Sequence, residues 1–129
     1  MRLLLDTHAL VWALLEPRRI PPPTLERIRD PHNDVIVSAV APWEISNKAR
    51  LGKLDGVEPL IHGYAEHLAQ LRAREIAITS RHTLTAGQLN WQHRDPFDRV
   101  LVAQAMIESL TLVTADSAIR SFPAVLTLW

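Results

Sequence analysis

Short apolar runs alternate along this chain with longer stretches in which apolar residues recur at helical spacing. Five runs predict buried strands: Leu3–Leu5, Val35–Val37, Ile76–Ile78, Leu112–Thr114 and Val125–Leu128. Six stretches between them predict helices: Thr7–Leu15, Pro22–Arg29, Val40–Leu51, Leu60–Arg72, Thr83–Leu89 and Pro96–Ser109. Continuous apolar runs are typical of parallel strands that are covered on both faces. The alternation of strands and helices therefore predicts an α/β sandwich.

The predicted helix that begins at Pro96 is apolar around most of its circumference, with Val100, Leu101, Val102, Ala103, Ala105, Met106 and Ile107. It should therefore contact more than the sheet. A subunit interface would explain this pattern, and so would burial within the chain.

The composition is that of an ordinary globular protein, with 47% apolar and 22% charged residues in 129. We expect one domain over residues 1–129. Because cysteine is absent, disulfide and thiolate chemistry are excluded, and a cytoplasmic location is favoured. We expect no membrane span, since the longest apolar run, Ala9–Leu15, is far shorter than the ~20 residues a bilayer requires. Asp6 interrupts the N-terminal run before it could form the centre of a signal peptide.

The overall charge neither supports nor excludes a nucleic-acid partner. Lys and Arg total 14, and so do Asp and Glu, so the chain lacks the basic excess of a non-specific nucleic-acid binder. If several acids gather around cations, however, the remaining surface is basic.

Polar residues follow three of the predicted strands. Asp6 follows the first strand, Ser38 the second, and Thr114 and Asp116 occupy the end of the fourth. In an open parallel sheet, functional sites form in the crevice beyond the carboxyl ends of the strands. Three separate segments therefore deliver polar groups to one edge.

Two further acids, Glu44 and Asp98, lie early in predicted helices that begin near this edge. Four carboxylates packed together without a counterion repel one another and take up protons. A divalent cation removes that penalty, and oxygen ligands without a His or Cys pattern favour Mg²⁺ or Mn²⁺. Such a site suits phosphodiester hydrolysis, because the ion lowers the pKa of water and stabilises charge on the phosphate.

Each acid also has a structural alternative. Asp6 and Asp116 precede helical stretches and could be ordinary N-caps, and Glu44 is spaced to pair with Lys48 four residues later. The sequence Asp95-Pro96-Phe97-Asp98 is a strong helix start, in which either acid could be structural. We assign Asp95 as the cap and Asp98 as the ligand, because Asp98 shares the inward face of the helix with residues 101, 102 and 105.

Four motifs in this order resemble PIN-domain proteins, particularly toxins of VapBC toxin–antitoxin pairs. They are Leu4-Leu5-Asp6-Thr7-His8-Ala9-Leu10, Trp43-Glu44-Ile45, His93–Arg99 followed by Leu101–Ala105, and Leu112-Val113-Thr114-Ala115-Asp116. The resemblance implies a PIN-like three-layer sandwich, with a five-stranded parallel sheet of order 3-2-1-4-5 flanked by helices. It also implies an Mg²⁺- or Mn²⁺-dependent endoribonuclease, a homodimer, and a cognate VapB-type antitoxin. Transfer RNA is the first candidate substrate and messenger RNA the second.

By position in those motifs, the resemblance implies that Asp6, Glu44 and Asp98 are the core metal-binding acids and that Asp116 is the fourth. Thr114 and Ser38 would orient these carboxylates, and Asp95 would lie beside them.

Other residues suggest substrate contacts. Seven basic side chains could follow an RNA backbone or could simply be solvated: Arg18, Arg19, Lys48, Arg50, Lys53, Arg94 and Arg99. Lys48, Arg50 and Lys53 are the strongest candidates, because they lie on the helix that carries Glu44 or just beyond it; Arg99 follows Asp98 directly. Trp12, Trp43, Trp91 and Trp129 could stack on bases, or pack in the core or an interface. The six histidines show no zinc spacing.

Two other functions are compatible with parts of the pattern. Asp6 could be the nucleophile of a phosphohydrolase, although enzymes that resemble the haloacid dehalogenases need a second acid where this chain has His8. A non-catalytic PIN-like module that binds RNA or an antitoxin is the other alternative, and the presence of all four acids argues against it. Dinucleotide binding is excluded by the lack of a glycine-rich turn after the first strand.

Overall fold

A parallel sheet of five strands forms the centre of the protein. The computed structural model describes residues 1–129. The strands are β1 (Arg2–Leu5), β2 (Asp34–Ser38), β3 (Arg74–Ile76), β4 (Thr111–Val113) and β5 (Thr127–Leu128). They lie in the order β3-β2-β1-β4-β5, and every neighbouring pair is parallel. This confirms the predicted α/β fold and its strand order 3-2-1-4-5.

Eight helices connect and cover the strands. They are α1 (Thr7–Leu15), α2 (Pro22–Arg29), α3 (Val40–Arg50), α4 (Glu58–His62), α5 (Tyr64–Gln70), α6 (Ser80–Gln88), α7 (Pro96–Glu108) and α8 (Ser117–Arg120). A short 3-10 helix, Pro17–Arg19, follows α1. None of the eight helices has the length and apolar character that crossing a bilayer requires.

The sheet separates two apolar cores, because alternate residues of a strand point to opposite faces. Leu3 and Leu5 of β1 join the core beneath α1 and α2, whereas Leu4 joins the core beneath α7. Leu101 and Val102 of α7 are completely buried in that second core. Burial within the chain, against the sheet, α3 and α6, therefore accounts for most of the apolar surface of α7.

Three local expectations were wrong. The single helix predicted over residues 60–72 is two helices, α4 and α5, because Gly63 between them has a non-helical backbone with φ −131° and ψ 39°. Strand β3 begins two residues earlier than predicted, where Arg74 bonds to Asp34 at 3.0 Å across the exposed edge pair. Strand β5 begins at Thr127, two residues later than predicted.

The strand register brings three chain segments to one edge of the sheet. Leu5 is aligned with both Val37 and Val113, so β1, β2 and β4 end at the same level. The backbone N–H of Asp6 continues the ladder and donates to the Val113 carbonyl oxygen at 3.0 Å. Residues that directly follow these strands therefore share one crevice.

Candidate active site

The predicted acids line one cavity of about 470 Å³ at this edge of the sheet. We call it the acidic cavity, and its lining residues are Asp6, Thr7, His8, Trp12, Arg19, Glu44, Lys48, Leu54, His93, Asp95, Asp98, Ala115 and Asp116. All four proposed metal-binding acids are included, and so is Asp95. Five of the residues assigned to the site from sequence are not part of the lining: Ser38, Arg50, Lys53, Arg99 and Thr114.

Asp6 is buried at the start of α1, and its side chain is only 6% exposed. Its Oδ1 atom accepts a hydrogen bond from the backbone N–H of Ala9 at 2.7 Å, so Asp6 is also the N-cap of α1. Burial raises the pKa of Asp6, and the charge of Glu44 adds to this, while the Thr114 hydroxyl and the Ala9 N–H partly offset it. One carboxylate thus caps a helix and faces the cavity.

Glu44 is 2% exposed and is held by two partners from different directions. The Thr7 hydroxyl donates to Oε1, and the Lys48 ammonium donates to Oε2. Burial alone would lower the pKa of Lys48, but the hydrogen bond and charge of Glu44, together with the charges of Asp95 and Asp98, raise it overall. The ion pair expected from spacing therefore exists, but it is inside the cavity and not on the surface.

Asp95 is the N-cap of α7, as the helix pattern predicted, and Asp98 is not. Asp95 Oδ1 accepts hydrogen bonds from the backbone N–H groups of Phe97 at 2.9 Å and Asp98 at 3.3 Å, which makes it the N-cap of α7. Asp98 makes no cap contact, and its Oδ2 atom is 2.7 Å from His93 Nε2. The pKa of Asp98 is raised to about 6, mainly by burial. The charges of Asp95, Glu44 and Asp116 contribute to this rise, and the hydrogen bond with His93 partly offsets it.

Asp116 lies at the exposed side of the cavity, at the start of α8. Its Oδ1 atom accepts from the backbone N–H groups of Ala118 at 2.8 Å and Ile119 at 3.2 Å. The buried Thr114 hydroxyl accepts a hydrogen bond from the Asp116 N–H at 3.0 Å. The same side chain also interacts with Asp6 and lowers the pKa of that carboxyl. Thr114 thus connects two of the acids. Ser38 does not: its hydroxyl accepts from the N–H of Val40, the first residue of α3, at 3.1 Å.

The four basic residues that we selected for RNA binding lie in different environments. Lys48 faces the cavity but is bonded to Glu44, while Arg50 and Lys53 are exposed outside it. Arg99 was the wrong choice, because its guanidinium donates to four backbone carbonyls within the chain, those of Ala86, Leu89, Trp91 and His93. It therefore holds the segment before α7 in place.

Three cavity residues were missed or set aside at the level of sequence. Thr7 and His93 each bond to one of the acids, and Arg19 is the second cationic side chain of the lining besides Lys48. Their only sequence signal is proximity: Thr7 and His93 are next to acidic motifs. Nothing in the sequence shows where the side chains point.

The side chains of the acidic cavity have the charge and the ligand atoms that a hard divalent cation requires. Five carboxylates face two permanently cationic groups, so the cavity has an excess of negative charge and offers oxygen ligands. No three acidic or imidazole groups are placed to share one ion as the side chains stand. Both oxygens of Glu44 and one oxygen each of Asp6 and Asp98 are bonded within the chain.

A larger cavity, of about 890 Å³, lies beside α2 and the 3-10 helix. Its lining consists of Pro17, Arg18, Ile20, Pro22, Leu25, Glu26, Arg29, Asp30 and Pro31. Neither of its two acids is buried, and no acids from separate strands converge there. The chemistry therefore points to the smaller, acidic cavity.

We predict that ionisation of Asp98 destabilises the metal-free protein. Its pKa of about 6 lies roughly 2 units above the ordinary value of about 3.9, which corresponds to ~3 kcal/mol. Because the folded pKa is the higher one, this stability is fully present below about pH 4 and is lost as the pH rises through about 6. In a chelator, the free energy of unfolding of the wild type minus that of Asp98→Asn should fall across this range in urea titrations. A difference that does not change with pH would contradict this assignment.

Comparison with known proteins agrees with this geometry. Residues 3–125 match the PIN domain family. The chain is 30% identical to Ribonuclease VapC22 of Mycobacterium tuberculosis over 130 residues, which cover 98% of this chain and 97% of that protein.

Solved structures with the same fold include toxin–antitoxin complexes. VapBC2 from Rickettsia felis, bound to a DNA fragment from its promoter, has a TM-score of 0.73 at 20% identity and covers 100% of this chain and 99% of that one. DNA-bound VapBC from Salmonella typhimurium has a TM-score of 0.68 at 16% identity, and the match covers 99% of this chain and 97% of that one. The resemblance seen in the four sequence motifs is thereby confirmed: this chain belongs to the PIN-domain family.

Proposed function

We propose that this protein is a metal-dependent endoribonuclease and the toxin of a type II toxin–antitoxin module. The observation that carries the proposal is the acidic cavity, which gathers carboxylates from four separate segments and in which burial raises the pKa values of Asp6 and Asp98. Mutually repelling acids at the edge of a sheet are typical of a site that binds a cation. The ribonuclease named as a relative makes RNA the proposed substrate class.

Asp6, Glu44 and Asp98 are the proposed ligands of Mg²⁺ or Mn²⁺, with Asp116 as a further ligand at the exposed side. When bound, such an ion would supply a lowered pKa for water and neutralise charge on the phosphate. The Ala9 N–H and His93 bond to one oxygen of Asp6 and of Asp98, respectively, and leave the other oxygen for a cation. Carboxylates fixed in this way need less rearrangement when a cation arrives. Thr7 and Lys48 occupy both oxygens of Glu44, so Lys48 must leave Glu44 when a cation binds.

The proposed macromolecular partners are an RNA substrate, either transfer or messenger RNA, a VapB-type antitoxin, and a second copy of this chain. The antitoxin is supported by structural relatives that are toxin–antitoxin complexes. The homodimer is supported by exposed apolar side chains on α3 and just beyond it and on α4, where Trp43 is 61%, Leu51 50% and Ile61 41% exposed. Because α7 is buried within the chain, these helices are the better candidates for the subunit contact.

Asp6→Asn should abolish RNA cleavage without unfolding the protein. The amide has nearly the volume of the carboxylate and can still accept the hydrogen bond from Ala9, but it lacks the charge that binds the cation. Cleavage of a mixed RNA pool by the purified protein, with Mg²⁺ or Mn²⁺ and with a chelator, measures this, and circular dichroism checks the fold. A chelator should also abolish cleavage by the wild type. Excess Mg²⁺ or Mn²⁺ should restore cleavage by the wild type but should not restore it in Asp6→Asn.

The matched control is Asp34→Asn. Asp34 is at the opposite end of β2, where it pairs with Arg74, and its variant should cut RNA at the wild-type rate. An Asp6→Asn protein that retains the parental rate would rule out the proposed chemistry. A wild type that binds RNA or an antitoxin but does not cut RNA under any metal condition would support the non-catalytic alternative.

Asp95→Asn and Asp98→Asn should have different effects. Asp95→Asn should leave stability nearly unchanged, because an amide oxygen still accepts from the Phe97 and Asp98 N–H groups and caps α7. It should also leave most of the Mn²⁺ affinity, because Asp95 Oδ1 is bonded to these backbone N–H groups. Loss of the Asp98 carboxylate should weaken Mn²⁺ binding by at least about tenfold. Calorimetric titration with Mn²⁺ compares them, and equal losses of affinity in both variants would disprove the division of roles.

A further inference from the structure

One wall of the acidic cavity carries no acid. Arg19 and Trp12 line this wall, and the Arg19 guanidinium carbon lies 4.4 Å from the centre of the Trp12 ring. Trp12 is flanked by His8 and Trp129, each with its ring centre 5.7 Å away. We call Arg19 and Trp12 the cationic platform. It is a flat, positively charged surface beside a group of carboxylates.

The charge of Arg19 is available to a ligand. Its ion-pair partner, Glu16, is 3.6 Å away, and both side chains are more than half exposed, at 55% and 57%. Such a pair is screened by solvent and is weak. The other cation of the cavity, Lys48, is bonded to Glu44. Arg19 is therefore the one permanent cation of the lining that can meet a phosphate without breaking a buried contact.

Core packing does not explain the position of Arg19. Trp12 already packs against the core beneath α1 together with Trp129. Arg19 is exposed and lies outside that core, so its contact with Trp12 adds little burial. What the contact does achieve is to hold the guanidinium plane in one place at the cavity wall. A guanidinium supported by an aromatic ring is a surface on which an RNA base can stack.

We propose that the cationic platform is a nucleotide subsite, which binds one unpaired nucleotide of the RNA next to the phosphate that is cut. Its base would stack on Arg19, and the N–H edge of the guanidinium would face the phosphate. This inference rests on the proposed ribonuclease function and extends it to a substrate class. Because a paired base does not expose its face, the substrate is a single strand or a loop. Stacking tolerates any base, so the platform selects for unpaired structure and not for sequence.

The test compares Arg19→Gln with Arg18→Gln. Arg18 is the neighbouring exposed arginine in the same 3-10 helix, but it faces the other cavity. Cleavage of a single-stranded oligoribonucleotide should show a KM raised by about tenfold in Arg19→Gln, with kcat little changed, because uniform binding is lost. Arg18→Gln should match the wild type. Arg19→Lys keeps the positive charge but lacks the planar guanidinium, so its KM should lie between that of the wild type and that of Arg19→Gln.

A second measurement separates this proposal from the one on which it rests. In a chelator, where no cleavage occurs, fluorescence anisotropy of a labelled single strand and of its duplex reports binding alone. The wild type should prefer the single strand, and Arg19→Gln should lose most of that preference. Failure of the wild type to cut RNA would overturn the ribonuclease proposal but leave this binding result readable. Equal effects of Arg19→Gln and Arg18→Gln, or an Arg19→Gln variant that weakens only the binding of a protein partner, would overturn the subsite.

Discussion

The burial of carboxylates at one edge of the sheet is the constraint on which the rest of this structure depends. The parallel sheet ends three strands at one level, and helices α3 and α7 begin beside that edge, so acids from separate parts of the chain meet there. Burial removes water that would otherwise screen them, and the pKa values of Asp6 and Asp98 rise as a result. The fold tolerates this because Lys48 supplies one positive charge inside the cavity. Lys48 and Arg19 together do not neutralise five carboxylates, and the remaining imbalance is what a divalent cation would remove.

Structural and functional explanations of the same acid are not exclusive here. Asp6 and Asp116 each use one oxygen as a helix N-cap, yet both line the acidic cavity. The cap fixes the carboxylate and directs its second oxygen away from the helix. Glu44 is held in a similar way by Thr7 and Lys48, and Asp98 by His93. Contacts that look purely local in sequence thus set the direction of the acids relative to one another.

The strands and the acid positions could be predicted because both depend on local pattern, whereas the strand order was implied by the resemblance of the four motifs to PIN-domain proteins. Apolar runs specify buried parallel strands, and the residue after each strand must lie at the carboxyl edge. Side-chain direction depends on tertiary packing, which single positions do not encode. For that reason Arg99 was taken for an RNA contact although it binds backbone carbonyls, and Ser38 was taken for a partner of the acids although its hydroxyl bonds to the Val40 N–H. His93 and Arg19 were undervalued for the same reason, since their roles exist only once distant segments meet.

The most direct test of the central claim is the anomalous diffraction signal of a crystal soaked in Mn²⁺. The account predicts one or two strong peaks inside the acidic cavity, within about 2.0–2.4 Å of carboxylate oxygens of Asp6, Glu44 and Asp98, with the Lys48 ammonium displaced from Glu44. An empty cavity at saturating Mn²⁺, with Lys48 still bonded to Glu44, would contradict it.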